Sequence, residues 1–280
     1  MSMPSHDYSK CTSAARTTLR AALLAPLMLL AMAAGSPAMA QQSPVQPTED
    51  PDKDASDEAY RNCLAYAWRE PTNAFESAIA WASRGGGDPA QRCAAIALFA
   101  LGKYDRAAYR LQVLAQESTS ADAEQRAGML AQSAQAWMLA EREDLAIETL
   151  NRALELVPDE PTLLIDRARA LGSAGRFQEA LTDLTAALQQ RPEDLDGLIF
   201  RASALRQLGD LNSALIDAEY ALQIAPDNPD ALLERGSIRR LMEDREGARA
   251  DWLRVIQVSP NTPVADFAQR NLALLDVQVQ

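Results

Sequence analysis

An all-α fold, a solenoid of stacked helix pairs, is what these 280 residues point to, and three observations carry that reading. Pro158, Pro192, Pro226 and Pro260 stand 34 residues apart three times running, each closing a similar phrase such as Leu-Glu-Leu-Val-Pro or Leu-Gln-Ile-Ala-Pro. A fixed period of that length marks a chain of like units rather than one globule. Small residues recur in step with it. Ala134, Ala168, Ala202 and Gly236 share one column; Ala146, Ala180, Ala214 and Ala248 share a second; Ala153, Ala187 and Ala221 share a third, from which Val255 departs. Short side chains at fixed offsets let two helix axes approach to about 8 Å. Between the first two columns lie Leu-Gly-Ser-Ala-Gly-Arg-Phe at 171–177 and Gln-Leu-Gly-Asp-Leu at 207–211. Glycine there can take the left-handed conformation that ends a helix, and the proline then stops the second helix and starts the connection onward.

The N-terminus carries Lys10, Arg16 and Arg20, an apolar run from Ala21 to Ala34, and then Ala38-Met39-Ala40. This is the order of a secretory signal peptide over 1–40. About 14 apolar residues fall short of the roughly 20 that span a bilayer. Cleavage is expected after Ala40, and no cysteine follows the run to take a lipid anchor. Residues 41–56, rich in Gln, Pro, Asp and Glu, are expected to form a disordered leader, being too polar to bury much surface. Residues 57–87 read as a degenerate first unit, two shorter helices broken at Glu70-Pro71 and followed by Gly85-Gly86-Gly87.

Repeats follow at 88–121, 127–160, 161–194, 195–228 and 229–262. The first of them is placed by Ala-Leu-Gly-Lys-Tyr-Asp-Arg-Ala-Ala at 100–108; it lacks the closing proline, and a five-residue insertion precedes the next. Thr262-Pro263 is a good helix start. Val264, Phe267, Leu272 and Leu275, at helical spacing, mark a capping helix over 263–276. A terminal repeat needs such a cap because its last apolar face would otherwise meet water.

Alanine columns, turn glycine and closing proline at this period resemble the tetratricopeptide repeat (TPR) family, and the resemblance covers roughly 57–276, most closely 127–262. The family's tryptophan near the start of the first helix is missing; Leu130, Leu164, Leu198 and Leu232 fill the same apolar slot. The resemblance implies a right-handed α-solenoid whose first helices line a concave partner-binding groove. It points inward Arg92, Ile96 and Phe99, then Gln135, Met138 and Leu139, then Ile165, Arg169 and Ser173, then Ile199, Ser203 and Arg206, and last Leu233, Ser237 and Arg240. The family's carboxylate clamp, a lysine and asparagine set, has no residue-for-residue match. Arg169, Arg206 and Arg240 would focus positive potential at the C-terminal half of the groove and favour acidic groups on a partner. The alternative is that they are solvated or pair with neighbours such as Asp196 and Asp230.

Two further columns vary together. Arg167, Arg201 and Arg235 each precede, by sixteen residues, Asp183, Asp217 and Asp251. In the repeat at 127–160 the same positions hold Ser133 and Thr149, and in that at 88–121 Ala94 and Arg110, so both partners vanish at once. An Arg–Asp bridge clipping the two helices of each of the last three repeats accounts for this; a carboxylate-binding arginine row is the competing reading.

Removal of the signal region takes away His6 and Cys11, leaving a chain without histidine and with Cys63 and Cys93 alone. An even pair in an exported chain suggests a disulfide, which would staple the atypical first unit to the next; two buried free thiols are the alternative. Removal also takes Lys10, Arg16, Arg20 and Asp7 from 27 basic and 39 acidic residues, leaving 24 and 38 and a net charge of −14. So acidic a chain repels phosphate backbones, which argues against nucleic acid, and it has no basic amphipathic stretch to hold an anionic membrane. Asp50-Pro51-Asp52-Lys53-Asp54 lacks the glycine and closing glutamate of a calcium loop, and Gly85-Gly86-Gly87 lacks the Lys-Ser/Thr of a phosphate loop. No catalytic, metal or cofactor residues are assigned, because no nucleophile with its base can be assembled without histidine. The expected molecule is an exported, periplasmic or secreted, non-enzymatic scaffold for protein or peptide partners. A structural subunit that binds further copies of itself is the alternative.

Overall fold

The computed structural model describes residues 51–277; the expected signal peptide and most of the expected leader lie outside the described residues. Among the described residues thirteen helices follow one another and there is no strand. They fall into six pairs and a cap. The pairs are α1 (Pro51–Ala67) with α2 (Pro71–Ala82), α3 (Gly87–Ala100) with α4 (Tyr104–Glu117), α5 (Ala123–Leu139) with α6 (Glu143–Leu156), α7 (Pro161–Ser173) with α8 (Phe177–Gln190), α9 (Leu195–Gln207) with α10 (Leu211–Ile224), and α11 (Pro229–Leu241) with α12 (Arg245–Val258). The cap is α13 (Pro263–Val277). Each helix packs on the next, as short connections require, and first helices also touch first helices of neighbouring pairs.

The periodic residues explain the regularity. All the alanines of the three columns are buried, as are Gly236 and Val255. The turn column is Gly102, Glu141, Gly175, Gly209 and Glu243, every one in the left-handed region with φ between 57° and 86°. Glycine accepts that conformation freely, whereas the two glutamates hold it against Cβ sterics. Each closing proline lies two residues beyond its helix, after α6, α8, α10 and α12. The next first helix is then capped: Glu160, Asp194 and Asn228, again 34 apart, accept from the backbone N–H of Leu163, Gly197 and Ala231. Such a cap satisfies one of the orphan donors at a helix start, worth about 1 kcal/mol.

Two boundaries differ from expectation. The first helix begins at Pro51, inside the stretch expected to be leader. The insertion before the repeat at 127–160 becomes an extra helical turn: α5 has 17 residues where α7, α9 and α11 have 13. Asp122 starts that turn with a capping box, accepting from Gln125 N–H while the Gln125 side chain accepts from Asp122 N–H. Along the first helices, α5, α7, α9, α11 and α13 touch in succession, but α3 and α5 barely meet.

Candidate protein-binding face

The first helices carry the residues expected to point toward a partner, and the structure does not leave them equally accessible. Ile165 and Ile199 are buried in the core and offer nothing to a ligand. Met138 and Leu233 are half-buried against core clusters, and the Ser237 hydroxyl is spent on the Leu233 carbonyl at 2.8 Å. A residue on the inner side of a first helix is also near the neighbouring second helix, so inward register alone does not separate lining from core.

The arginines are less free than their column suggests. Arg206 is half-buried; its Nε donates to Glu234 Oε1 at 2.5 Å, across to α11, and its Nη2 to Ser203 Oγ at 3.3 Å. Arg169 Nη2 lies 3.3 Å from Asp166 Oδ1 on its own helix. Arg240 is exposed and enters no ion pair among the described residues. The partners are therefore Glu234 and Asp166, not the Asp196 and Asp230 that the sequence offered as neighbours. Burial pushes the Asp166 carboxyl above the ordinary carboxylate value, Arg169 opposing and Glu160 and Asp196 adding to the rise. Burial and Asp196 push Asp230 the same way. The C-terminal half of this face thus mixes both signs instead of focusing one.

The N-terminal half is aromatic and partly exposed. Phe99 stacks edge-on between Trp68, at 6.2 Å, and Tyr104, at 5.3 Å between ring centroids. Trp68, at the end of α1, is 63% exposed, and Leu139, at the end of α5, is 49% exposed. Ile96 is half-buried beside them in sequence register, Gln135 is exposed, and the Arg92 guanidinium sits 5.6 Å over the Tyr60 ring. Trp68 was missed in the sequence because the degenerate first unit has no column in which to place it.

The Arg–Asp columns meet as bidentate pairs. Arg167 Nε and Nη2 donate to Asp183 at 2.7 and 2.7 Å, Arg201 to Asp217 at 2.7 and 2.8 Å, and Arg235 to Asp251 at 3.0 and 2.6 Å. The hydrogen bond to Asp183 raises the Arg167 pKa, and Asp217 does the same for Arg201. Arg239 adds a second cation to Asp251 at 2.9 Å. Where the pair is absent, Ser133 Oγ donates to the Ala108 carbonyl at 2.9 Å and Thr149 Oγ1 to the Leu145 carbonyl at 2.6 Å, so both buried hydroxyls are satisfied by backbone. Cys63 and Cys93 are paired across α1 and α3, with Cα atoms 6.1 Å apart. Among the described residues no group of three His, Cys, Asp or Glu side chains is spaced to hold a metal, and no helix is long and apolar enough to cross a membrane.

No protein-family model and no curated protein matches this sequence. Solved structures do match. A thermophilic TPR protein of Thermus thermophilus superposes with a TM-score of 0.54 at 18% identity, over 68% of this chain and 99% of its own. MamA from Desulfovibrio magneticus RS-1 does so with a TM-score of 0.54 at 16% identity, over 62% of this chain and 97% of its own. A double mutant of MamA RS-1 gives 0.52 at 16% identity, over 61% of this chain and 93% of its own. At such identities the likeness speaks for the fold. Thirteen stacked helices, the columns that join them and these superpositions together establish that this chain has the tetratricopeptide-repeat fold.

Proposed function

We propose that this chain is a non-enzymatic scaffold of the cell envelope that holds a segment of a protein partner against its first helices. The observation that carries the reading is the aromatic cluster in which exposed Trp68 lies edge-on to half-buried Phe99, itself against half-buried Tyr104, with Leu139 exposed on the next first helix but one. A protein rarely leaves large apolar side chains grouped at its surface without a partner to cover them. Aromatic residues also supply much of the energy of interfaces for little conformational entropy. The partner's anchor is therefore apolar and sits toward the N-terminal repeats; acidic anchors at the C-terminal arginines are not favoured, since Arg206 and Arg169 already face Glu234 and Asp166.

The envelope reading rests on the charged, apolar and small-residue order of residues 1–40 and on the paired Cys63 and Cys93, which suit an oxidising compartment. Affinity capture from a native envelope extract, with the chain that starts at Gln41, tests the function. A partner held by the wild type and lost by Trp68→Glu with Leu139→Glu is the expected result. A partner held equally by both would overturn the placement.

A second reading, self-association, is favoured by one feature. The cap α13 leaves Phe267 54% and Leu274 64% exposed, seven residues apart and so on one side of the helix. Sedimentation across a concentration series separates the two readings: a constant monomer mass removes self-association.

A further inference from the structure

The repeat at 88–121 has a second opening, away from the first-helix face. A cavity of about 850 Å³ runs along α4, bounded by the end of α2, the start of α3 and Trp137 of α5. Its position in the repeat is defined by register. Leu98, Arg106, Tyr109 and Arg110 line it, and Leu171, Glu179, Thr182 and Asp183, each 73 residues later, line a cavity of about 260 Å³ in the repeat at 161–194. The same groove between second helices therefore exists in both repeats and is far larger in the first.

The sequence difference gives the reason. In the later repeat Arg167 lies in the groove and is clipped to Asp183. Seventy-three residues earlier those positions are Ala94 and Arg110. Alanine leaves unfilled the space a guanidinium would occupy, and arginine reverses the charge where the last three repeats keep a carboxylate. Arg110 Nη1 donates to Gln91 Oε1 at 2.5 Å, and both Arg106 and Arg110 lie 5.8 Å over the Phe75 ring of α2. Neither joins an ion pair among the described residues. Burial, and after it the neighbouring Arg106, lower the Arg110 pKa.

We infer that this groove binds an extended peptide segment of a partner that carries one acidic side chain flanked by apolar residues. The acid meets Arg106 and Arg110, where a carboxylate can accept charge-assisted hydrogen bonds from both. Tyr109, Val113 and Leu98 supply the apolar walls. From Asp105 to Glu117 the lining follows α4 for about 18 Å, the length of roughly five extended residues. A single acid is specified because the groove's own acids bracket the arginines. Asp88 accepts from Ser118 and Ser120, Asp105 faces Arg142 at 3.8 Å, and Glu117, without an ion-pair partner among the described residues, lies at the far end, where a second peptide acid would be repelled. The site does not depend on the first-helix face.

A displayed library of random hexapeptides, selected on the purified protein and depleted on Arg106→Glu with Arg110→Glu, tests this. The expected outcome is enrichment of sequences with one Asp or Glu between apolar residues. By fluorescence anisotropy, the enriched peptide should bind at least about 10-fold more weakly to the reversed variant, and so should its Gln or Asn counterpart on the wild type, since one charge-assisted hydrogen bond is worth about that factor. Arg106→Lys with Arg110→Lys, which keeps the charge, should retain most of the binding and shows that the fold survives change here. Leu139→Glu should leave it intact. No enrichment, enrichment without acids, binding that survives reversal, or binding lost with Leu139→Glu would each overturn the proposal.

Discussion

The three repeats from 161 to 262 and the two from 88 to 160 share a fold and a period but are held together differently. In the C-terminal three, an arginine on the first helix and an aspartate on the second form a bidentate clip in which the aspartate is almost fully enclosed, 8%, 8% and 4% of its side chain remaining exposed. In the repeat at 127–160 two buried hydroxyls bond to backbone instead. In the repeat at 88–121 a single hydrogen bond from Arg110 to Gln91 stands in for the bidentate clip, the groove beside it is open, and the nearby pairing is Cys63 with Cys93. One helix-pair scaffold thus uses the same place as a fastener or as a cavity, according to the two side chains that meet there.

The largest effect expected is on the N-terminal side. Reducing the Cys63–Cys93 pair, 30 residues apart, should cost about 3 kcal/mol by releasing loop entropy in the unfolded chain. Because solenoid units stabilise mainly their neighbours, the loss should concentrate in residues 51–121. Hydrogen exchange with and without reductant checks this, and uniform loss across all helices would contradict it. An unchanged mass on reduction would show that the two thiols are free.

Next in size is the clip. Asp217→Ala leaves Arg201 half-buried without its partner and should cost about 2–3 kcal/mol, below the full value for a wholly buried pair because Arg201 keeps some contact with water. Replacing both, with Arg201→Met and Asp217→Leu, should cost less than the single change. Chemical denaturation of the two variants decides; equal losses would refute the idea that the stranded charge is what hurts.

A smaller effect separates the clipped repeats from one another. Gly236 stands in a column otherwise filled by alanine, and a Cβ built there would meet the buried Trp252 indole at 2.5 Å. The preceding repeat has Ala202 and Ala218 at the equivalent positions. Gly236→Ala should therefore destabilise by about 1–3 kcal/mol through overpacking, and adding Trp252→Ala should recover part of the clash at the expense of a cavity. Thermal melts of the two variants measure both.

The smallest concerns acids rather than pairs. Asp230 has its folded pKa raised above 3.8 by burial and by Asp196, so its charged form is disfavoured in the folded chain. At neutral pH the carboxylate therefore works against folding. As pH falls through the raised folded value and then below 3.8, both states become protonated and the penalty disappears. Asp230→Asn should accordingly stabilise the protein at about pH 7 and make no difference near about pH 3. Stability curves against pH for the two proteins test the sign.

Much of this was legible in the residues alone, because repetition compares a sequence with itself. The prolines, alanine columns and joint loss of Arg and Asp identify helix pairs, their contacts and their clips without any second chain. The same method lost its grip where the columns stop. Trp68 lies in the degenerate first unit, and Glu234, the partner of Arg206, lies 28 residues away, off the columns that co-vary. Inward register also put Ile165 and Ile199 on a binding face, whereas neighbouring helices bury them.

Local backbone preference and a fixed spacing suffice to specify the all-helical stack, its period, its turn and proline positions and the helix pair that each arginine and aspartate joins. These are written in the residues themselves. Which inward residues stay open, which arginines are already neutralised and how large each groove is emerge only once the helices are packed. Those properties depend on how closely non-repeating neighbours approach. That distance is set by the packing of whole helices, and no single column records it.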